Sequence, residues 1–170
     1  MTELFLFLLA AGVHELGHIL CAALLNIPRT GFALCPYGAV MTFDFSGTTY
    51  GRELCVHLAG GGWGILWAVL ALGLFGDTAV RFAGFSVSLA LLNFLPVRGF
   101  DGGGILTCLL NAAEVSPERA ERIGRGISIG FTVLLWTAVL WIELRVRADV
   151  SLLCFLLYVL IFHAEIVNSP

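Results

Sequence analysis

The chain has 170 residues, 59% of them hydrophobic and only 12% charged, and it carries a net charge of −3 with no Lys among its nine basic residues. A soluble domain has about a quarter of its residues charged, so this balance, with a mean hydropathy of +0.95, excludes an ordinary soluble fold and predicts an all-α polytopic membrane protein. The arginines are dispersed over the loops, which argues against nucleic-acid binding, and the five cysteines are scattered without a C-x-x-C pair, as small apolar residues of helices are.

Apolar runs predict about five transmembrane helices, six at most, near residues 4–26, 54–75, 79–97, 127–143 and 150–167. The first run lacks a basic leader and continues past His18 to Ile27, so it reads as a retained helix rather than a cleaved signal. It also contains HELGH, at His14 to His18. Ionisable side chains within a bilayer are expensive and face a partner or a watery cavity. At 100° per residue His14 and His18 lie about 40° apart, and Glu15 falls within 100° of both. Two neutral imidazoles one turn apart are suited to one Zn²⁺, and the carboxylate between them to accepting a proton from an attacking water. A catalytic zinc of this kind needs a third protein ligand.

Between the first two runs, IPRTGFALCPYGAVMTFDFSGTTYGRE is too apolar for a solvated loop and too rich in Gly, Pro and β-formers for a helix. A β-hairpin or re-entrant segment is expected there. Its stretch Ala39, Val40, Met41, Thr42, Phe43 and on to Phe45 is a candidate strand edge to which an extended peptide substrate could add itself. The second run opens with HLAGGGWG, whose Gly60, Gly61, Gly62 and Gly64 would let another backbone approach closely. His57, beside them, matches no ligand spacing and reads as a satisfied interfacial residue.

The third run ends in NFLPVRGFDGG, where Pro96 and the glycines after Asp101 are expected to break the helix. Asp101 is the leading candidate for the third ligand, a carboxylate at a broken helix end beside Gly102 and Gly103; Asp44 and Glu165 remain alternatives. A further short helix can form in ILTCLLNAAEV. In SPERAERIGRG, Ser116 and Pro117 can start a helix whose Arg119, Arg122 and Arg125 make a polar face, read as a solvated connector. The organisation expected is a core over 1–110, a polar connector over 111–126 and additional helices over 127–170. With the N-terminus outside, six arginines fall on inner loops and three on outer ones, which favours that orientation.

HELGH in the first apolar run, together with Asn93, Pro96, Asp101 and Gly102 in the pattern N-x-x-P-x-x-x-x-D-G, resembles the site-2 protease family of intramembrane zinc metalloproteases. The resemblance covers roughly residues 4 to 110 and implies a three-helix catalytic core, with one Zn²⁺ held by His14, His18 and Asp101, Glu15 as catalytic base, and Asn93, Pro96 and Gly102 in support. It aligns AGGGWG with a family A-G-P-x-x-N pattern in which Ala59 and Gly60 match, whereas Gly61 and Gly64 stand where Pro and Asn are usual. Small size is similar to the bacterial branch that includes the stage IV sporulation processing protease, whose substrate is a membrane-associated precursor of a sigma factor.

The function expected is therefore peptide-bond hydrolysis in a membrane-embedded or membrane-associated protein, at a site opening to the cytoplasm from the bacterial cytoplasmic membrane. The partners implied are that substrate, the lipid bilayer and a regulatory membrane protein. Two alternatives differ in class: a catalytically inactive relative that binds membrane proteins, for which Gly64 is a hint, and a metal transporter. Only the protease requires a general base at Glu15.

Overall fold

The computed structural model describes residues 2–35 and 38–146. The chain divides into two compact units, with the boundary between Phe94 and Leu95.

In the first unit, α1 (Thr2–Leu24) is followed by the strands β1 (Arg29–Cys35) and β2 (Gly38–Phe43), the helix α2 (Tyr50–Phe75), a four-residue 3₁₀ turn at Gly76–Ala79 and the helix α3 (Val80–Asn93). α1 stops at Asn26, which takes a left-handed φ of 55°, and the Ile27 N–H then closes back on the Ala22 carbonyl at 2.8 Å. The turn releases the chain into an antiparallel hairpin pairing Arg29 with Phe43 and Cys35 with Gly38, with one irregularity between Arg29 and Gly31. Of the two forms expected for this segment, the hairpin is the one that forms. Its far end is anchored by burial: Phe43 and Phe45 pack on a cluster of Ala22, Ile27 and Val56.

α1, α2 and α3 pack on one another through small residues. Gly17 is the tightest point, where an added Cβ would lie 2.5 Å from the Ala59 carbonyl oxygen and 2.6 Å from the Trp63 Cβ. Arg81, just past the α2–α3 turn, pairs with Glu3 at the start of α1, so the N-terminus and that turn share one end of the helices. The orientation expected from the arginines puts both on the same side.

The second unit holds α4 (Asp101–Ala112) and α5 (Pro117–Val146). Helix α5 begins at Pro117 as the Ser-Pro signal predicts, with the Ser116 carbonyl accepting from Arg119 and Ala120. It runs on without a break, so the polar stretch 117–126 is the first part of a 30-residue helix.

Three helical segments are long and apolar enough to cross a membrane: Thr2–Leu24, Tyr50–Asn93 and Pro117–Ile142. Four of the five predicted runs fall within the described residues. The second and third fall within the one 44-residue segment, as α2 and α3 on either side of the 3₁₀ turn; α3, with 14 residues, spans about 21 Å of a hydrocarbon core about 30 Å thick. The run predicted at 150–167 lies outside the described residues. Large apolar side chains stand outward along the spans, with Leu24, Leu74 and Phe75 at 82%, 73% and 66% exposure. Such a surface suits lipid and not water.

Candidate metal centre

The helical spacing of HELGH places His14 and His18 on the buried face of α1, at 5% and 7% exposure, with Glu15 half-buried beside them and Leu16 outward. The two imidazoles meet edge to face, with their Nε2 atoms 3.3 Å apart. Nδ1 of His18 lies 2.8 Å from the backbone carbonyl of Val56 on α2. A carbonyl oxygen only accepts, so this nitrogen carries the proton and, in the neutral ring, Nε2 keeps its lone pair. Val56 is itself fixed, at 1% exposure in the cluster that anchors the hairpin.

One turn further along α2, the missing side chain of Gly60 makes room for the tips of both rings. A Cβ there would stand 2.1 Å from His18 Nε2 and 2.8 Å from His14 Nε2. The pair fits a metal: two nitrogens each about 2.0–2.1 Å from a tetrahedral zinc are about 3.3–3.4 Å apart, as the Nε2 atoms are here. The carbonyl on the second ring nitrogen is the usual outer partner of a ligating histidine.

Asp101 is the first residue of α4, partly buried, with Phe100 extended before it. The glycines after it do not break a helix as expected. Gly102, Gly103 and Gly104 lie within the first turn of α4, and the break falls earlier, at Leu95–Phe100, where Gly99 takes φ 90°. Gly102 is buried; Gly103 is where the loop presses on the helix, since a Cβ there would lie 2.6 Å from the Val97 carbonyl oxygen. The second unit thus offers, at the start of α4, a carboxylate of the donor type that a His-His pair needs for zinc. Of the alternatives, Asp44 is exposed in the turn after β2 and accepts from the Ser46 N–H at 2.9 Å, while Glu165 lies outside the described residues.

Among the expected supporting residues, Asn93 ends α3 and turns its side-chain amide back to donate to the Leu89 carbonyl at 3.0 Å. Pro96 is in the Leu95–Phe100 loop. Ala39 to Phe43 lie on β2, which pairs with β1 alone among the described residues, leaving its other edge without a strand. His57 has Phe45 as a ring neighbour, centroids 5.8 Å apart.

The Gly-rich face works differently from the expected backbone contact. Side chains fill the space instead, the histidines at Gly60 and the Phe94 ring at Gly61, where a Cβ would be 2.4 Å from the ring. Gly64 is looser, its nearest neighbour being the Ser86 carbonyl oxygen at 3.8 Å. Sequence reasoning missed Gly17, the closest helix approach, and the Val56 carbonyl; a glycine inside H-E-x-x-H was the available signal for the first.

No family model matches the chain. It is 26% identical over 149 residues to stage IV sporulation protein FB of Bacillus subtilis (strain 168), a match covering 84% of this chain and about half, 51%, of that protein. Its fold matches the site-2 protease from Methanocaldococcus jannaschii with a TM-score of 0.71 at 20% identity, over 98% of this chain and 77% of the other. The likeness to the site-2 protease family read from two short motifs thus extends over nearly the whole chain as a shared fold and, at distant homology, as sequence.

Proposed function

We propose that this protein is an intramembrane zinc metalloprotease that hydrolyses a peptide bond of a membrane-embedded or membrane-associated protein. The observation that carries the reading is the buried His14–His18 pair, with Nε2 atoms at zinc-ligand spacing, one ring oriented by Val56 and both ring tips admitted by the missing side chain of Gly60. Asp101 is the proposed third ligand, supported by its donor type and its place in the second motif. When bound, the zinc would supply Lewis acidity, activating water near neutral pH and polarising the scissile carbonyl.

Glu15, adjacent to His14 and half-buried, takes the proton of the attacking water and returns it to the leaving amine. The burial of His14 and His18 strengthens electrostatic interactions at the site. A helical substrate hides its peptide bonds and must unwind to be cut. The open edge of β2 is the proposed dock for the extended segment. It is supported by the path from Phe43 through the buried cluster to Val56, whose carbonyl orients His18. With the N-terminus outside, the site opens to the cytoplasm; cysteine labelling that placed residues 98–104 outside would overturn this orientation.

The test pairs metal content with cleavage. The detergent-purified protein should hold about one zinc per chain, lost in His18→Ala and Asp101→Ala. Glu15→Gln should keep its zinc while cleavage of a membrane substrate falls by roughly 10²–10⁴-fold. A wild-type protein that takes up no zinc after reconstitution would refute the reading, Glu15→Gln cleaving at the wild-type rate would remove Glu15 as the base, and a zinc-loaded wild type that cleaves nothing would favour the inactive relative or the transporter.

A further inference from the structure

The loop Leu95–Phe100, which delivers the chain to Asp101, is tied to its surroundings in two different ways. On the α4 side it is a run of tight turns, Phe100 N–H to the Val97 carbonyl at 3.0 Å and Gly103 N–H to the Phe100 carbonyl at 3.0 Å. These turns stiffen the two residues between Arg98 and Asp101, Gly99 and Phe100. Between the loop, α4 and α5 lies a cavity of about 230 Å³, lined by Pro96, Arg98, Leu106, Asn111, Ala120 and Gly124 among others. Across such a space, among the described residues, dispersion contributes little to holding the loop.

Polar tethers cross the gap instead. The Arg98 backbone N–H donates to the Ser128 hydroxyl of α5 at 2.9 Å, and Ser128 is 1% exposed. The Arg98 guanidinium donates to the Glu121 carboxylate at 2.5 Å, and Arg125 reaches the same carboxylate at 3.5 Å. The main chain and the side chain of one residue are thus gripped by two points on α5, seven residues apart and on the same face of the helix.

We infer that Ser128 and Glu121 are positioning residues, and that α5 acts as a strut setting where the Asp101 carboxylate stands. This rests on the proposed role of Asp101 as a zinc ligand. Removing a tether leaves the carboxylate in place chemically but lets its carrier loop shift into the cavity, so the consequence falls on metal affinity and ligand geometry rather than on donor count. The polar stretch 117–126 then has a task that the first reading of it as a connector did not include.

The experiment uses the full-length protein in detergent and reads zinc affinity by chelator competition and ligand geometry by the visible spectrum of the Co²⁺-loaded form. Ser128→Ala and Glu121→Ala should each weaken zinc by roughly tenfold, the low end for loss of an outer partner, and shift the cobalt bands. Ser128→Thr, which keeps the hydroxyl, should restore both readouts. Gly126→Ala, on the same helix with nothing within 4 Å, should match wild type.

Wild-type affinity and cobalt spectrum in both Ser128→Ala and Glu121→Ala, with zinc still lost in His18→Ala, would overturn the strut and leave the metal site standing. A wild type without zinc would overturn the site itself and the strut with it. If Ser128→Ala fails to fold, Glu121→Ala decides, because that side chain is 49% exposed and is not needed to fill a core.

Discussion

Gly60→Ala isolates the geometry on which the proposed chemistry depends. The new methyl carbon would sit 2.1 Å from His18 Nε2 and 2.6 Å from its Cε1, whereas ordinary contact begins near 3.4 Å. The ring must therefore withdraw by about 1.3 Å, or α1 and α2 must part by as much. A ligand displaced by about 1 Å is enough to cost roughly 100-fold in a positioned site, and here the shift also strains the 2.8 Å bond from His18 to Val56, a type of outer contact whose loss alone costs about 10–100-fold in metal affinity. Zinc affinity should thus fall by at least about 100-fold, close to 2.8 kcal/mol. Helix propensity runs the other way, since Ala favours a helix interior over Gly by roughly 0.5–1 kcal/mol. Loss of metal would then not come from a weakened α2. The assay is zinc by elemental analysis after dialysis against graded chelator, with Gly62→Ala as control, an exposed neighbour with nothing within 4 Å. Gly60→Ala binding zinc within about threefold of wild type would refute the cradle.

Three further outcomes are expected. Gly17→Ala should destabilise the helix packing by about 1–3 kcal/mol, read as a lower melting temperature in detergent, because its Cβ meets backbone at 2.5 Å, while Gly12→Ala, with open space around it, should not; equal melting temperatures would count against the close approach of α1 and α2. Along β2, successive N–H groups face opposite edges, so of Met41→Pro and Thr42→Pro one should break the hairpin ladder and the other only the open edge; cleavage persisting in both would remove the strand-addition dock. The Ser46 hydroxyl and N–H hold the Asp44 carboxyl below its ordinary range, so its carboxyl resonance should titrate low and move up in Ser46→Ala. A depressed folded pKa means that the turn's contribution is present above the unfolded value and is lost as pH falls through the folded one; an unmoved midpoint would show that Ser46 is not the cause.

How far the sequence reached differs by element. HELGH was legible because helical periodicity is local: a spacing of four residues puts both imidazoles on one face whatever packs against it, and a bilayer makes idle charges there unaffordable. The hairpin was legible from turn and β-forming residues. The helix boundaries near Asp101 were not, since three consecutive glycines have poor helix propensity and only packing keeps them helical in α4. Nor was the shortness of α3, where an apolar run continues through Phe94 while the helix ends at Asn93.

The sequence by itself determined the membrane character, the histidine pair with Glu15 beside it, the candidate carboxylate and the hairpin, because composition, period and residue chemistry act within a few residues of chain. Tertiary structure alone decided that a main-chain carbonyl of α2 fixes the tautomer of His18, that Gly60 is an opening for ligand nitrogens rather than a helix contact, and that α5 holds the loop before Asp101. Each of these joins groups distant in sequence, 38 residues apart for His18 and Val56 and 30 for Arg98 and Ser128. Backbone carbonyls and the absence of a side chain carry no residue-specific signal, and they become chemistry only when packing brings another helix against them.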